Sequence, residues 1–122
     1  MILGVEVAVT AGIGAVARYV VDLLVYHRTT GQFPLGTFVI NTVGSLLAGL
    51  FAGLALHHGL PGTATVDLTA GFCAGFTTLS TWAYESLALV EAGASWEAGL
   101  NIVGSFAAGL AAAATGFGLA LI

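Results

Sequence analysis

Long apolar runs separated by short polar interruptions organise this chain. A helix that crosses hydrocarbon needs about 20 mostly apolar residues. Four runs reach that length: about Ile2 to Tyr26, about Leu35 to Leu56, about Val66 to Val90 and about Trp96 to Leu121. The interruptions are brief. His27 to Phe33 contains Arg28 and Gly31, His57 to Thr65 contains Gly59 and the turn pair Pro61-Gly62, and Glu91 to Ser95 reads as a tight turn. Pro34 suits the start of the second helix and Ser95 a cap on the last. Connections this short force consecutive helices antiparallel. The first run has no basic lead and is too long for a signal peptide, so it is expected to stay as the first span.

The third run breaks the pattern. Gly71-Phe-Cys-Ala-Gly-Phe-Thr-Thr-Leu-Ser-Thr-Trp82 carries four hydroxyl residues, Thr77, Thr78, Ser80 and Thr81, inside otherwise apolar sequence. Polar groups at bilayer depth are costly unless they face protein, water or an ion. Gly71 and Gly75 lead into the cluster, and glycine lets a helix break. A broken helix is tolerated in a membrane where its freed main-chain groups line a cavity. The expected fold is therefore all-α, with four transmembrane helices, the third of them broken.

Composition fixes the compartment. Of 122 residues, 58% are hydrophobic and 7% charged, against roughly 25% charged in a soluble domain. Mean hydropathy is +1.04. This describes a multi-pass membrane protein with a single domain over 1–122, placed in the cell membrane. Two basic residues against six acids argue against nucleic acid. The single Cys73 excludes an internal disulfide or a multi-cysteine metal site and reads as a small buried hydrophobe. No nucleophile-and-base pair, metal-ligand spacing or phosphate-cradling loop is present, so an enzyme is not expected.

Small residues one turn apart recur at Gly49 and Gly53, Gly71 and Gly75, and Ser105 and Gly109. Such spacing lets membrane helices pack backbone to backbone, within a subunit or between subunits. There is also an internal echo. Asn41-Thr-Val-Gly-Ser-Leu-Leu-Ala-Gly-Leu50 and Asn101-Ile-Val-Gly-Ser-Phe-Ala-Ala-Gly-Leu110 agree at seven of ten positions, sixty residues apart. Orientation is weakly marked, because Arg28 is the only basic residue in a connection. Insertion in both directions would permit an antiparallel twofold dimer.

Several polar residues are candidates for function. Arg18 either attracts anions from a vestibule or pairs with Asp22 one turn on. Asn41, facing Ser45, offers two N–H donors to a small anion or to a neighbouring helix. Glu85 follows the hydroxyl cluster by one turn and is either a proton-coupling carboxylate or a helix-end residue reaching water. His57, His58, Glu91 and Glu97 read as solvated loop residues. Hydroxyl donors replace water around an anion, and carbonyls freed by a helix break hold a cation.

Four motifs in order carry a resemblance: Gly14-Ala-Val-Ala-Arg18-Tyr19; Pro34-Leu-Gly-Thr37 with Asn41 and Gly44; Gly71 to Thr81 with Glu85; and Asn101-Ile-Val-Gly-Ser-Phe106. Together they resemble the CrcB/Fluc family of fluoride channels over nearly the whole chain. The resemblance implies passive fluoride export through two pores of a dual-topology antiparallel dimer. It implies a pore with Asn41, Ser80, Thr81 and Ser105, a vestibule with Arg18, and a structural sodium ion (Na+) at the dimer centre on the carbonyls of Ala74 and Thr77. The family usually has Gly where Ala74 stands, and Phe where Leu79 and Trp82 stand. Trp82 keeps an aromatic edge and adds an N–H donor, whereas Leu79 offers only bulk. Either a homodimer works with one aromatic, the favoured reading, or a second, paralogous subunit supplies the missing ring.

Two rival classes differ in their demands. A small four-helix proton-coupled drug or cation antiporter needs a deep carboxylate in its first helix, yet Glu6 is terminal and Gly12 and Gly14 occupy the middle. Such a mechanism would rest on Glu85. A non-transporting packing subunit accounts for the glycines and leaves the central hydroxyls without purpose.

Overall fold

The computed structural model describes residues 2–28 and 31–122. Among them every regular element is helical and no strand occurs. Helix α1 spans Ile2–Tyr26 and α2 spans Leu35–His58. Helix α3 covers residues 62–76: an α-helical start over Gly62–Val66, a wider π-helical stretch over Asp67–Cys73 and a short return over Ala74–Phe76. Helix α4 is Leu79–Glu91. Helix α5 is Ser95–Leu119, with a π-helical segment at Leu100–Gly104. Three of these, α1, α2 and α5, are long and apolar enough to cross a membrane. The third apolar run is shared between α3 and α4.

The helix ends follow from local chemistry. Pro34 caps α2 without a side-chain bond. Gly59 closes α2 in the left-handed region at φ 68°, where a side chain would be strained, and the N–H of the next residue, Leu60, returns to the Leu54 carbonyl at 3.3 Å. Gly93, at φ 77°, turns the chain from α4 into α5 while the Ala94 N–H reaches the Leu89 carbonyl at 2.9 Å. Ser95 is not the cap of α5: Ala94 holds that position with no side-chain bond, and Ser95 is already helical. His57 and His58 belong to the last turn of α2 and not to a loop. His58 Nε2 lies 2.6 Å from the Ala120 carbonyl, which can only accept, so that nitrogen carries the proton and ties the ends of α2 and α5 together.

Two backbone-to-backbone seams organise the packing. In the α2–α5 seam a Cβ on Gly49 would strike the Ala113 carbonyl, one on Gly116 the Leu46 carbonyl, and one on Gly53 would stand 2.9 Å from the Phe117 carbonyl. In the α1–α3 seam, Gly14 lies against the Phe72 carbonyl, Gly75 against the Ala11 carbonyl and Gly71 against the Thr10 hydroxyl. The small-residue motifs at 49/53 and 71/75 are thus used inside one chain. Dispersion between close-packed main chains replaces the hydrophobic drive that lipid does not supply. Cys73 and Phe76 are buried, and Asn101 is fully so at 0% exposure. Large apolar side chains cover the outside, among them Val16, Leu24, Tyr84, Val103 and Phe106. Such a surface suits lipid or another apolar partner.

Candidate functional site

Helical geometry stops at Phe76 and resumes at Leu79. Thr77 (φ −83°, ψ 164°) and Thr78 (φ −147°, ψ 123°) are both extended. Four contacts fix this two-residue link. The Thr77 N–H and hydroxyl both donate to the Cys73 carbonyl at 2.9 Å, ending α3. The Asn41 amide pairs with the Thr78 peptide twice: its oxygen accepts the Thr78 N–H at 2.8 Å and its nitrogen donates to the Thr78 carbonyl at 2.9 Å. A side-chain amide here plays the part of a second strand. Thr78 in turn caps α4, its hydroxyl oxygen accepting the Thr81 N–H at 3.2 Å and its proton going to the Thr81 hydroxyl at 3.0 Å. Finally, Arg18 Nη1 donates to the Thr77 carbonyl at 3.0 Å. Arg18 thus turns to the link instead of to Asp22, which lies against Gly36 of α2. Gly44 leaves room for the Thr77 methyl group, and any Cβ there would overlap it.

Beside the link is an open groove of about 380 Å³, lined by Asn41, Ser45, Leu79, Trp82, Ser105 and Phe106, with Gly109, Leu110 and Ala113 beyond. No charged side chain lines it. Its walls come from α2, the first turn of α4 and α5. Four of the residues expected at a pore meet here: Asn41, Leu79, Trp82 and Ser105. Ser80 and Thr81 do not line it and are exposed on the neighbouring face of α4. Leu79 is 76% exposed, so its side chain stands at the groove mouth.

The donors of the groove are mostly engaged. Ser45 donates to the Asn41 carbonyl at 2.8 Å, and Ser105 to Asn101 Oδ1 at a longer 3.3 Å. The Trp82 indole N–H donates to the Asn101 carbonyl at 2.9 Å. Trp82 therefore does not add an N–H donor to the groove; it presents ring carbon. One N–H of Asn41 is left over from the Thr78 pairing. Serine hydroxyls rotate at little cost, so Ser45 and Ser105 can turn from their carbonyl partners to an incoming anion.

A second cavity, about 400 Å³, lies between α1, α2 and α4 and is lined by Asp22, Thr37 and Glu85 among others. Thr37 donates to Glu85 Oε1 at 3.0 Å. Glu85 Oε2 is buried and has no hydrogen-bond partner among the described residues. Thr37, Ser86 and Asn101 are polar groups that the sequence reading did not treat as site residues. The Asn101-Gly-Ser echo was the available signal for the last. No group of three or more metal-ligating side chains occurs among the described residues.

Comparison with known proteins supplies the context for this geometry. The family model described as "CrcB-like protein, Camphor Resistance (CrcB)" matches residues 5–117. The chain is 42% identical over 110 residues to the "Fluoride-specific ion channel FluC" of Methylobacterium sp. (strain 4-46), covering 89% of this chain and 88% of that protein. It is 43% identical over 113 residues to "Fluoride-specific ion channel FluC 1" of Leifsonia xyli subsp. xyli (strain CTCB07), covering 93% and 82%. With the FluC of Chlorobaculum tepidum the identity is 48% over 99 residues, covering 80% and 78%.

Proposed function

The chain belongs to the CrcB-like family, and from that membership and the groove we propose that it is a multi-pass membrane protein that conducts fluoride passively and catalyses no reaction. The observation that carries this reading is the neutral groove beside the Thr77–Thr78 link, whose donors are an asparagine amide and two serine hydroxyls. Fluoride holds its hydration shell tightly, so a path must offer replacement donors. A path must also release the ion, and neutral donors bind less tightly than an arginine would. The N-terminal end of α4 opens on the same groove at Leu79, and its dipole favours an anion there. In this reading the link at Thr77–Thr78 is a functional break in a third membrane crossing made of α3 and α4.

An antiparallel pair of chains, with one such pathway on each side, completes the proposal. Support comes from the exposed apolar faces and from the openness of the groove to whatever lies beside it. A structural sodium ion at the centre of that pair fits the residues present. The Thr78 N–H, which a continuous helix would give to the Ala74 carbonyl, goes to Asn41, and Ala74 is exposed. The Thr77 carbonyl has a second lone pair beyond the one that Arg18 takes. Ala74 holds ordinary helical angles (φ −65°, ψ −39°), so alanine replaces glycine there without strain. The Ala74 and Thr77 carbonyls would hold the ion, which would contribute assembly, not permeation.

A second reading keeps the chemistry and changes the partner. Leu79 supplies no ring at the groove mouth, and similar proteins carry the names FluC 1 and FluC 2. A paralogous subunit would then contribute the aromatic edge. Purified protein in liposomes, followed with a fluoride electrode, tests both readings. Efflux from the single protein supports the homodimer. Silence that ends when a paralogue is added supports the mixed pair, and silence in both removes the channel reading.

A further inference from the structure

Trp82 is pinned at both ends by one closed ring of hydrogen bonds. Its indole N–H donates to the Asn101 carbonyl at 2.9 Å. The Asn101 amide donates to Ser86 Oγ at 2.8 Å. The Ser86 hydroxyl donates back to the Trp82 carbonyl at 2.7 Å. Asn101 is wholly buried and Ser86 is 6% exposed, so the bond between them is shielded from water. Asn101 reaches further: its carbonyl also accepts the Ser105 N–H, and its Oδ1 accepts the Ser105 hydroxyl at 3.3 Å. One residue therefore touches two groove-lining side chains, Trp82 through its carbonyl and Ser105 through Oδ1, and holds Ser86 with its amide nitrogen. It stands in the π-helical segment Leu100–Gly104, whose wider turn accommodates a carbonyl with two donors.

We infer that Asn101 is a positioning residue for the anion route: its side chain, bonded to Ser86 and Ser105, fixes its own main-chain carbonyl where that carbonyl holds the Trp82 indole N–H out of the groove, so that only ring carbon faces the ion. The inference rests on the channel reading above. The physical logic is a choice between two faces of one side chain. The ring edge of an aromatic is weakly positive and attracts an anion without holding it. An indole N–H is a full hydrogen-bond donor. Turned into a neutral, poorly hydrated groove, it would bind fluoride strongly and also accept larger halides, slowing release and blurring discrimination. Committing that N–H to the Asn101 carbonyl makes tryptophan behave like a plain ring. The larger side chain at 82 and the buried asparagine at 101 are then one unit.

The test is a double-mutant cycle with a spectroscopic arm. Asn101→Leu, Trp82→Phe and the pair are reconstituted, and the fluoride-to-chloride flux ratio is measured for each. Asn101→Leu keeps the accepting main-chain carbonyl but removes the side-chain bonds to Ser86 and Ser105 that fix it, and it is expected to lower that ratio about tenfold, within the coupling range of contacting residues. In the Trp82→Phe background the same change should cost far less, because no N–H remains to misplace. Equal costs in both backgrounds would overturn the inference. In a Trp96→Phe background Trp82 is the only tryptophan, and Asn101→Leu should shift its emission and make it quenchable by halide. Unchanged emission would also overturn it. Ser86→Ala opens the same ring with a smaller deletion and is read in the same two ways should Asn101→Leu fail to assemble. Absence of fluoride flux in the unmutated protein would sink the channel reading alone, since the emission arm still decides whether Asn101 holds Trp82.

Discussion

Asn41 does two jobs with one amide. Its oxygen and one N–H hold the Thr78 peptide, and the second N–H is left to the groove. Asn41→Asp keeps the oxygen, removes the donors and adds a negative charge. A like charge at about 4 Å costs an anion about 4 kcal/mol at an effective dielectric of about 20. Flux should fall on the order of a thousandfold, at 1.4 kcal/mol per tenfold, read by fluoride-electrode efflux. Normal flux in that variant would exclude the groove as the path. Leu79→Phe places a ring at the groove mouth, and efflux should stay equal or rise severalfold in the homodimer. A dead but assembled Leu79→Phe protein would show that the aromatic edge is not what the mouth lacks. Much of this was visible in the residue types. An asparagine and a hydroxyl cluster in apolar sequence have few uses in lipid. What sequence could not give was which donors are already spent. In sequence the indole of Trp82 reads as a free donor; in the fold it is spent on a main-chain carbonyl nineteen positions away.

At the scale of elements, α4 hangs from polar bonds while α2 and α5 lock by shape. Asn41 grips its cap residue Thr78, Asn101 grips Ser86, Trp82 reaches Asn101, and Thr37 holds Glu85. The echo between residues 41–50 and 101–110 acquires a meaning here: both asparagines fasten α4, one at its cap and one two turns on. Thr78→Ala removes the cap of α4 and should cost about 1 kcal/mol. Amide exchange at residues 79–82 should then quicken about fivefold while α2 and α5 keep their protection. Uniform acceleration along the chain would show that α4 does not open by itself. Gly49→Val places a branched Cβ against the Ala113 carbonyl. Such overpacking costs about 1–3 kcal/mol, and loss of a monodisperse peak on size exclusion is the expected readout. The helices were legible from hydropathy alone, since long apolar runs have one solution in lipid. The π-helical segments were not, because a widened turn leaves no mark on composition or spacing.

For the whole molecule, the absence of a strong charge bias is itself informative. Arg28 is the only Lys or Arg outside the helices, so the proposed insertion in both directions meets little opposing charge bias. An antiparallel pair of identical chains needs both orientations. Adding three lysines to the connection around Gly59 should fix one orientation and abolish flux from the single protein. Co-expression with a copy biased the other way should restore it. Undiminished flux from the biased protein by itself would argue against an antiparallel homodimer.

The seam between α2 and α5 has a longer reach. Glycine meets a facing carbonyl from both sides, Gly49 on one helix and Gly116 on the other, and even one added methyl on either has nowhere to go. The two asparagines are mounted on this frozen joint, a few turns from it. Ring chemistry at positions 79 and 82 can therefore be changed, as in Leu79→Phe, while the frame that carries those side chains stays square.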